Sequence, residues 1–192
     1  MTIKVESFDQ YQQLAIRTMK DDPHLMKVLH CTMGMVGEAG EFAELPYDEE
    51  DKRIGEIGDC MWYAANLAHT MGWNLSSILQ AVGRYSKNTV DDLVKHTSET
   101  RAMLWSARLN DIVKKSVFYG KELPVEEVRK CLACYMSAVL DMASKMSVMP
   151  LVAAELNIKK LSARYPDLAF NADHAINRDY EVESKAAGIQ IA

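Results

Sequence analysis

The chain is expected to fold as an all-α bundle, and three observations lead there. Apolar residues recur at 3.6-residue spacing along almost every long segment, and no alternating run of β-branched residues reaches strand length. All five prolines fall between the periodic segments. With 48% hydrophobic residues in 192, the chain can bury a full core, as one domain or two small ones.

Ser7 and Gln10 form a capping box for a first helix running to about Lys20, where Asp22-Pro23 interrupts it. A second helix carries Leu25 to Leu45 and stops at Pro46. The acidic loop Tyr47 to Asp51 leads into a third helix ending near Gly72, and Trp73-Asn74-Leu75-Ser76 starts a fourth that runs towards Lys95. A fifth spans about Ser98 to Tyr119 and is closed by Gly120. After a turn at Leu123-Pro124, a sixth runs from Val125 to Met146. Pro150 opens the seventh, which ends at Tyr165-Pro166. From Asp167 onward charged and small residues alternate, so this tail is expected on the surface or loosely docked.

The two halves, residues 1–95 and 96–170, can be laid on one another, with residues 171–192 as the tail. A shift of 67 places Glu38 on Trp105 and Glu41 on Arg108, and a shift of 71 places Glu56 on Glu127, Asp59 on Lys130 and Cys60 on Cys131. Two helical hairpins facing each other would bury both apolar faces as a four-helix bundle, a pseudo-dimer within one chain.

Composition excludes several classes. A net charge of -5 without a long basic run argues against nucleic-acid polymers as partners. No apolar run approaches a membrane span, and Met1 to Asp9 has no secretory pattern, so a cytoplasmic protein is expected. Cys31, Cys60, Cys131 and Cys134 lie in apolar helical stretches and read as buried thiols. Cys131-Leu132-Ala133-Cys134 lacks a second CxxC and a His at ligand spacing, which leaves two small core residues. No Glu is followed three residues later by His, as di-iron bundles require.

The chemistry concentrates in two acid pairs, Glu38-Ala39-Gly40-Glu41 and Glu56-Ile57-Gly58-Asp59. Residues three apart share a helix face, so four carboxylates converge if the second and third helices pack antiparallel. Two carboxylates about 4 Å apart repel by roughly 4 kcal/mol at an effective dielectric of 20, so the group demands protons or a cation. With 27 acidic residues in the chain, such pairs also arise on solvated faces. The apolar setting argues otherwise: Val36, Ala39, Phe42 and Ala43 surround the first pair, and Ile57, Cys60, Met61 and Trp62 accompany the second. Oxygen ligands of this kind favour Mg²⁺, Mn²⁺ or Ca²⁺, and Mg²⁺ is commonly shared with substrate phosphates.

These motifs, with Gly37 before them and Cys60-Met61-Trp62-Tyr63 after, resemble the ExxE and ExxD signature of the MazG-like all-α nucleoside triphosphate pyrophosphohydrolases, relatives of the dimeric dUTPases. Asp111-Ile112-Val113-Lys114-Lys115 and Asn157-Ile158-Lys159-Lys160-Leu161-Ser162-Ala163-Arg164-Tyr165-Pro166 are similar to the family's lysines after ExxE and its closing motif. A family chain normally carries all the motifs in one copy and dimerises, whereas here the acids and the closing motif fall in different halves.

The resemblance implies a Mg²⁺-dependent attack of water on the α-phosphorus of a nucleoside triphosphate, releasing monophosphate and pyrophosphate. Glu38, Glu41, Glu56 and Asp59 would hold the metal, and Glu41 or Glu38 would double as general base. Lys114, Asn157, Lys160, Arg164 and Tyr165 would face phosphates and sugar. Lys114 and Lys115 diverge by about 100°, so at most one faces the site. Phe8, Tyr11 and Gln12 could close over the base, although core packing explains Phe8 and Tyr11 equally well, and Trp62 or Tyr63 could stack on it, although an aromatic in this position is more often core. The expected oligomer is a monomer or a homodimer. A non-catalytic module binding nucleotide or protein, derived from such an enzyme, is the alternative.

Overall fold

The computed structural model describes residues 4–93 and 95–188, and the backbone alone for 86–93. The all-α expectation is met: among the described residues there are helices and no strands. Helix α1 (Phe8–Ala15) continues into a 3₁₀ turn, Ile16–Thr18, and so stops short of Lys20. Ser7 caps α1 by accepting the Gln10 amide at 3.1 Å. Gln10 reaches back to the Glu6 amide at 2.6 Å, one residue earlier than a capping box uses. Helices α2 (His24–Glu44), α3 (Glu50–Thr70), α4 (Leu75–Leu93), α5 (Ser98–Tyr119), α6 (Val125–Lys145) and α7 (Pro150–Arg164) follow. Their ends fall where proline and glycine place them; Pro150 occupies the first turn of α7, and Gly120 ends α5 at φ 62°.

Four helices close into a ring: α2 packs on α3 and α5, and α6 packs on α5 and α3. Outside this bundle α4 lies on α6, and α7 lies on α3. Exchanging α2, α3 and α4 for α5, α6 and α7 maps these pairings onto themselves. The hairpins of the two halves therefore face each other, and each half sends its third helix across to the other. Helix α1 braces α3, α4 and α7.

Apolar periodicity explains the bundle. Met35, Ala39 and Phe42 of α2, Ile57, Cys60, Met61 and Ala64 of α3, and Leu132, Tyr135, Met136 and Val139 of α6 are all essentially without solvent contact. Each large apolar side chain so buried contributes about 1.5–3 kcal/mol. All four cysteines are free and buried, including both of the CxxC pair. The buried Arg53 ties the ends of α2 and α3 together. Its guanidinium donates to the Leu45 carbonyl at 2.7 Å and stacks 4.1 Å from the Phe42 ring centroid. Among the described residues, no single helix is long and apolar enough to cross a membrane.

The tail is more firmly anchored than its alternating charges suggest. Helices α8 (Ala172–Ile176) and α9 (Tyr180–Ala187) are capped by Asn171 and Asp179, and α9 packs on α7. Glu183 of α9 is only 2% exposed.

Candidate metal centre

Antiparallel packing of α2 and α3 is visible in two contacts along their length: Arg53 meets Phe42, and Tyr63 meets His30, with ring centroids 5.5 Å apart. This register carries Glu38 to the Glu56 and Asp59 face of α3. One carboxylate oxygen from each of Glu38, Glu56 and Asp59 lies within 4.8 Å of the others, and all three side chains are half-buried. Neighbouring residues on both helices, Ala39 and Phe42 on one and Ile57, Cys60 and Met61 on the other, face the core and fix the rotation.

Glu41 does not belong to this cluster. It is exposed and stands on the wall of the same cavity. Within 4.8 Å the convergence is thus of three carboxylates, with Glu41 near enough for its charge to raise both Glu38 and Glu56.

Asp59 is held from behind. It accepts a hydrogen bond from the Asn157 amide at 2.7 Å and an ion pair from Lys160, both on α7. The Tyr11 hydroxyl donates to Asn157 Oδ1 at 2.9 Å and lies 3.2 Å from the Gly58 carbonyl. Close approach of α3 and α7 requires Gly58: a Cβ there would stand 2.8 Å from the Asn157 Cβ and 2.9 Å from the Ala153 carbonyl oxygen. Asn157 is buried and does not line the cavity, so it orients a carboxylate instead of touching substrate as expected.

The electrostatics follow from crowding. Burial, then the charges of Asp59 and Glu56, push the Glu38 carboxyl well above the usual range. Glu56 is also raised, first by burial and then by Asp59, while a hydrogen bond from Glu38 and the charge of Lys160 oppose the shift. One Glu56 oxygen, Oε2, is buried without a hydrogen-bond partner. Three hard oxygen donors in a place that resists negative charge, with an unpartnered oxygen on Glu56, are a set of the kind that could hold Mg²⁺ or Mn²⁺.

The three carboxylates open onto a cavity of about 900 Å³. Lys160, Arg164 and Tyr165 line it, and so do Trp62 and Tyr63. The Trp62 indole donates to the Thr18 hydroxyl at 3.0 Å, and its ring meets Tyr63 edge to face at 4.8 Å. Arg164 is engaged by Glu183 through two bonds, at 2.9 and 2.7 Å. That carboxylate also accepts from Arg178 at 2.8 Å. Both arginines hold Glu183 down, to about 2, against the opposing effect of its burial.

Two further expectations are corrected. Lys114 lies away from the cavity; it is exposed and paired with Asp111 at 2.7 Å. Gln12 does not reach a base, because its amide nitrogen donates to the Ala65 and Trp73 carbonyls and its oxygen accepts the Leu75 amide at 3.1 Å. Phe8 packs against the core. Conversely, His30, Arg178, Tyr180 and Glu183 line the cavity without having been singled out in the sequence. The caps Asn171 and Asp179 were readable signs that the tail is helical, but nothing local announces that Glu183 is buried.

No family model matches the chain, and no solved structure matches it. It is similar to the Gene 37 protein of Mycobacterium phage L5, with 36% identity over 63 residues, 27% of this chain. The chain spans about half of that relative's length, 55%.

Proposed function

We propose that the protein is a Mg²⁺-dependent nucleoside triphosphate pyrophosphohydrolase, converting a (d)NTP to the monophosphate and pyrophosphate. The observation that carries this reading is one cavity that brings a carboxylate cluster together with three cations, Lys160 paired to Asp59 and Arg164 and Arg178 sharing Glu183. Carboxylates Glu38, Glu56 and Asp59 stand on α2 and α3; cations Lys160, Arg164 and Arg178 stand on α7 and the segment after it. The resemblance of the acid pairs and of Asn157 to Pro166 to the MazG-like family supports the same reading.

Glu38, Glu56 and Asp59 would hold the metal. When bound, Mg²⁺ supplies charge neutralisation for the phosphates and acidifies a coordinated water. Water attacks the α-phosphorus, a new P–O bond forms, and the bond to the bridging oxygen of pyrophosphate breaks. The proton released has two acceptors on the α2 side, Glu38 and the exposed Glu41. Lys160 and Arg164 meet the charge of the departing pyrophosphate, and the Trp62–Tyr63 pair offers an aromatic wall to the base. The volume of about 900 Å³ accommodates a nucleotide.

The test is hydrolysis of a nucleotide panel with Mg²⁺ and with chelator, followed by chromatography. Monophosphate plus pyrophosphate, only with Mg²⁺, is the expected result. Diphosphate plus orthophosphate, or no turnover of any (d)NTP, overturns the proposal.

A further inference from the structure

A second cavity, of about 550 Å³, lies against α5 and α6. Exchange of the two halves carries the acidic cavity of α2 and α3 to this place. Trp105, Arg108, Glu127 and Lys130, the four residues that the shifts of 67 and 71 set opposite Glu38, Glu41, Glu56 and Asp59, all line it. The pseudo-equivalent site has therefore kept its concavity and exchanged its chemistry. One carboxylate of four remains, and two positions have become cations.

We propose that this cavity is a second ligand site, binding the phosphate group of a small phosphorylated molecule without a divalent cation. Four cations line it, Arg108, Lys115, Lys121 and Lys130, against the carboxylates Asp111, Glu122 and Glu127. Asp111 is already taken, since it pairs with Lys115 at 2.6 Å and with Lys114 at 2.7 Å. Arg108, Lys121 and Lys130 make no ion pair among the described residues, and the Arg108 guanidinium lies 4.8 Å from the Trp105 ring centroid. That stacking leaves its N–H edge free to donate to a bidentate acceptor.

An independent observation comes from Ser116. It contributes to the lining, is 7% exposed, and its hydroxyl oxygen is buried without a hydrogen-bond partner. Buried hydroxyls are nearly always satisfied, so a partner supplied from the cavity is the expected completion. A phosphate oxygen beside free guanidinium and ammonium groups accepts from that hydroxyl. A metal-bound ligand is disfavoured here, because Glu127 alone remains at the four positions. The recess suits a small molecule, and a chain of net charge -5 does not suit a polyanion.

This inference does not depend on how the acidic cavity is read. Its test is calorimetric titration of the full chain with pyrophosphate and with AMP, both in EDTA. Binding of at least one probe is expected, weakened tenfold or more in Arg108→Gln with Lys130→Gln and several-fold in Ser116→Ala, and unchanged in Glu38→Gln. Arg108 is exposed and Lys130 half-buried, so these variants should keep wild-type circular dichroism; each single Gln variant serves if the pair does not fold. Binding that survives loss of Arg108 and Lys130 but disappears with Lys160→Gln belongs to the acidic cavity; absence of binding by both probes, or binding unaffected by loss of Arg108 and Lys130 in a Lys160→Gln background, overturns the proposal.

Discussion

Asn157 and Asp59 are 98 residues apart in the chain, and the amide of the first donates to the carboxylate of the second at 2.7 Å. With Lys160 on the other Asp59 oxygen, this pair fixes one acid of the cluster from the opposite half of the protein. Everything that allows it, from the missing side chain at Gly58 to the Tyr11 hydroxyl behind Asn157, is on elements that meet only in the folded state.

Gly58→Ala is therefore expected to destabilise the protein by about 1–3 kcal/mol, since a Cβ 2.9 Å from a backbone oxygen forces α3 and α7 apart. For a chain of this size that lowers the melting temperature by roughly 2–4 °C per kcal/mol, measurable by calorimetry. An unchanged melting temperature would contradict the packing described.

Glu38→Gln should leave the metal-free protein as stable as wild type or more so, because the amide mimics a protonated Glu38 beside Glu56 and removes like-charge repulsion. Wild type should gain about 2.7 kcal/mol at a Mg²⁺ concentration one hundred times the dissociation constant. The variant should lose that gain. Thermal melts with and without Mg²⁺ read both effects, and pyrophosphohydrolase activity should disappear with the same change.

Folding raises the proton affinity of Glu38 and Glu56, so their contribution to metal-free stability is complete below their unfolded value near 4.5. It fades as pH rises through about 7 for Glu56 and about 9 for Glu38. Mg²⁺ should reverse the loss and release protons on binding near neutral pH. Calorimetry in buffers of different ionisation enthalpy measures that release.

Glu183 behaves in the opposite sense. Folding lowers its proton affinity, so its contribution is present above about 4.5 and is lost as pH falls towards about 2. Limited proteolysis should show α9 becoming accessible across that window. Glu183→Gln should show the accessibility already at neutral pH, because a neutral amide cannot hold Arg164 and Arg178 together.

Helix positions were legible because local signals set them. Ser7, Pro46, Gly120 and Pro150 act on their own neighbours, and boundaries read from them fall close to the start of α1, the ends of α2 and α5 and the start of α7. The acid pairs were legible as pairs, since i and i+3 share a face. Which three carboxylates meet depends on the crossing of α2 and α3, and no spacing within either helix contains that. The resemblance of the closing motif places Asn157 at the ligand, and the amide of Gln12 suggests a contact to the base; burial makes both internal braces. Lys114, expected at the site, lies on the surface, and Glu183, not singled out, is buried, for one reason. An exposed charge and a buried one look alike in sequence until the opposing helix is in place.

Helix α4 rests on α6 while α7 rests on α3, so a cut between Leu93 and Ser98 would give two pieces, each holding a helix that belongs on the other. The amino-terminal piece would carry the carboxylates without Asn157 and Lys160, and the carboxy-terminal piece the reverse. With the proposed divalent-ion site, recovery of that affinity on mixing them would serve as a fragment-complementation assay, reporting correct reassembly with no tag or antibody.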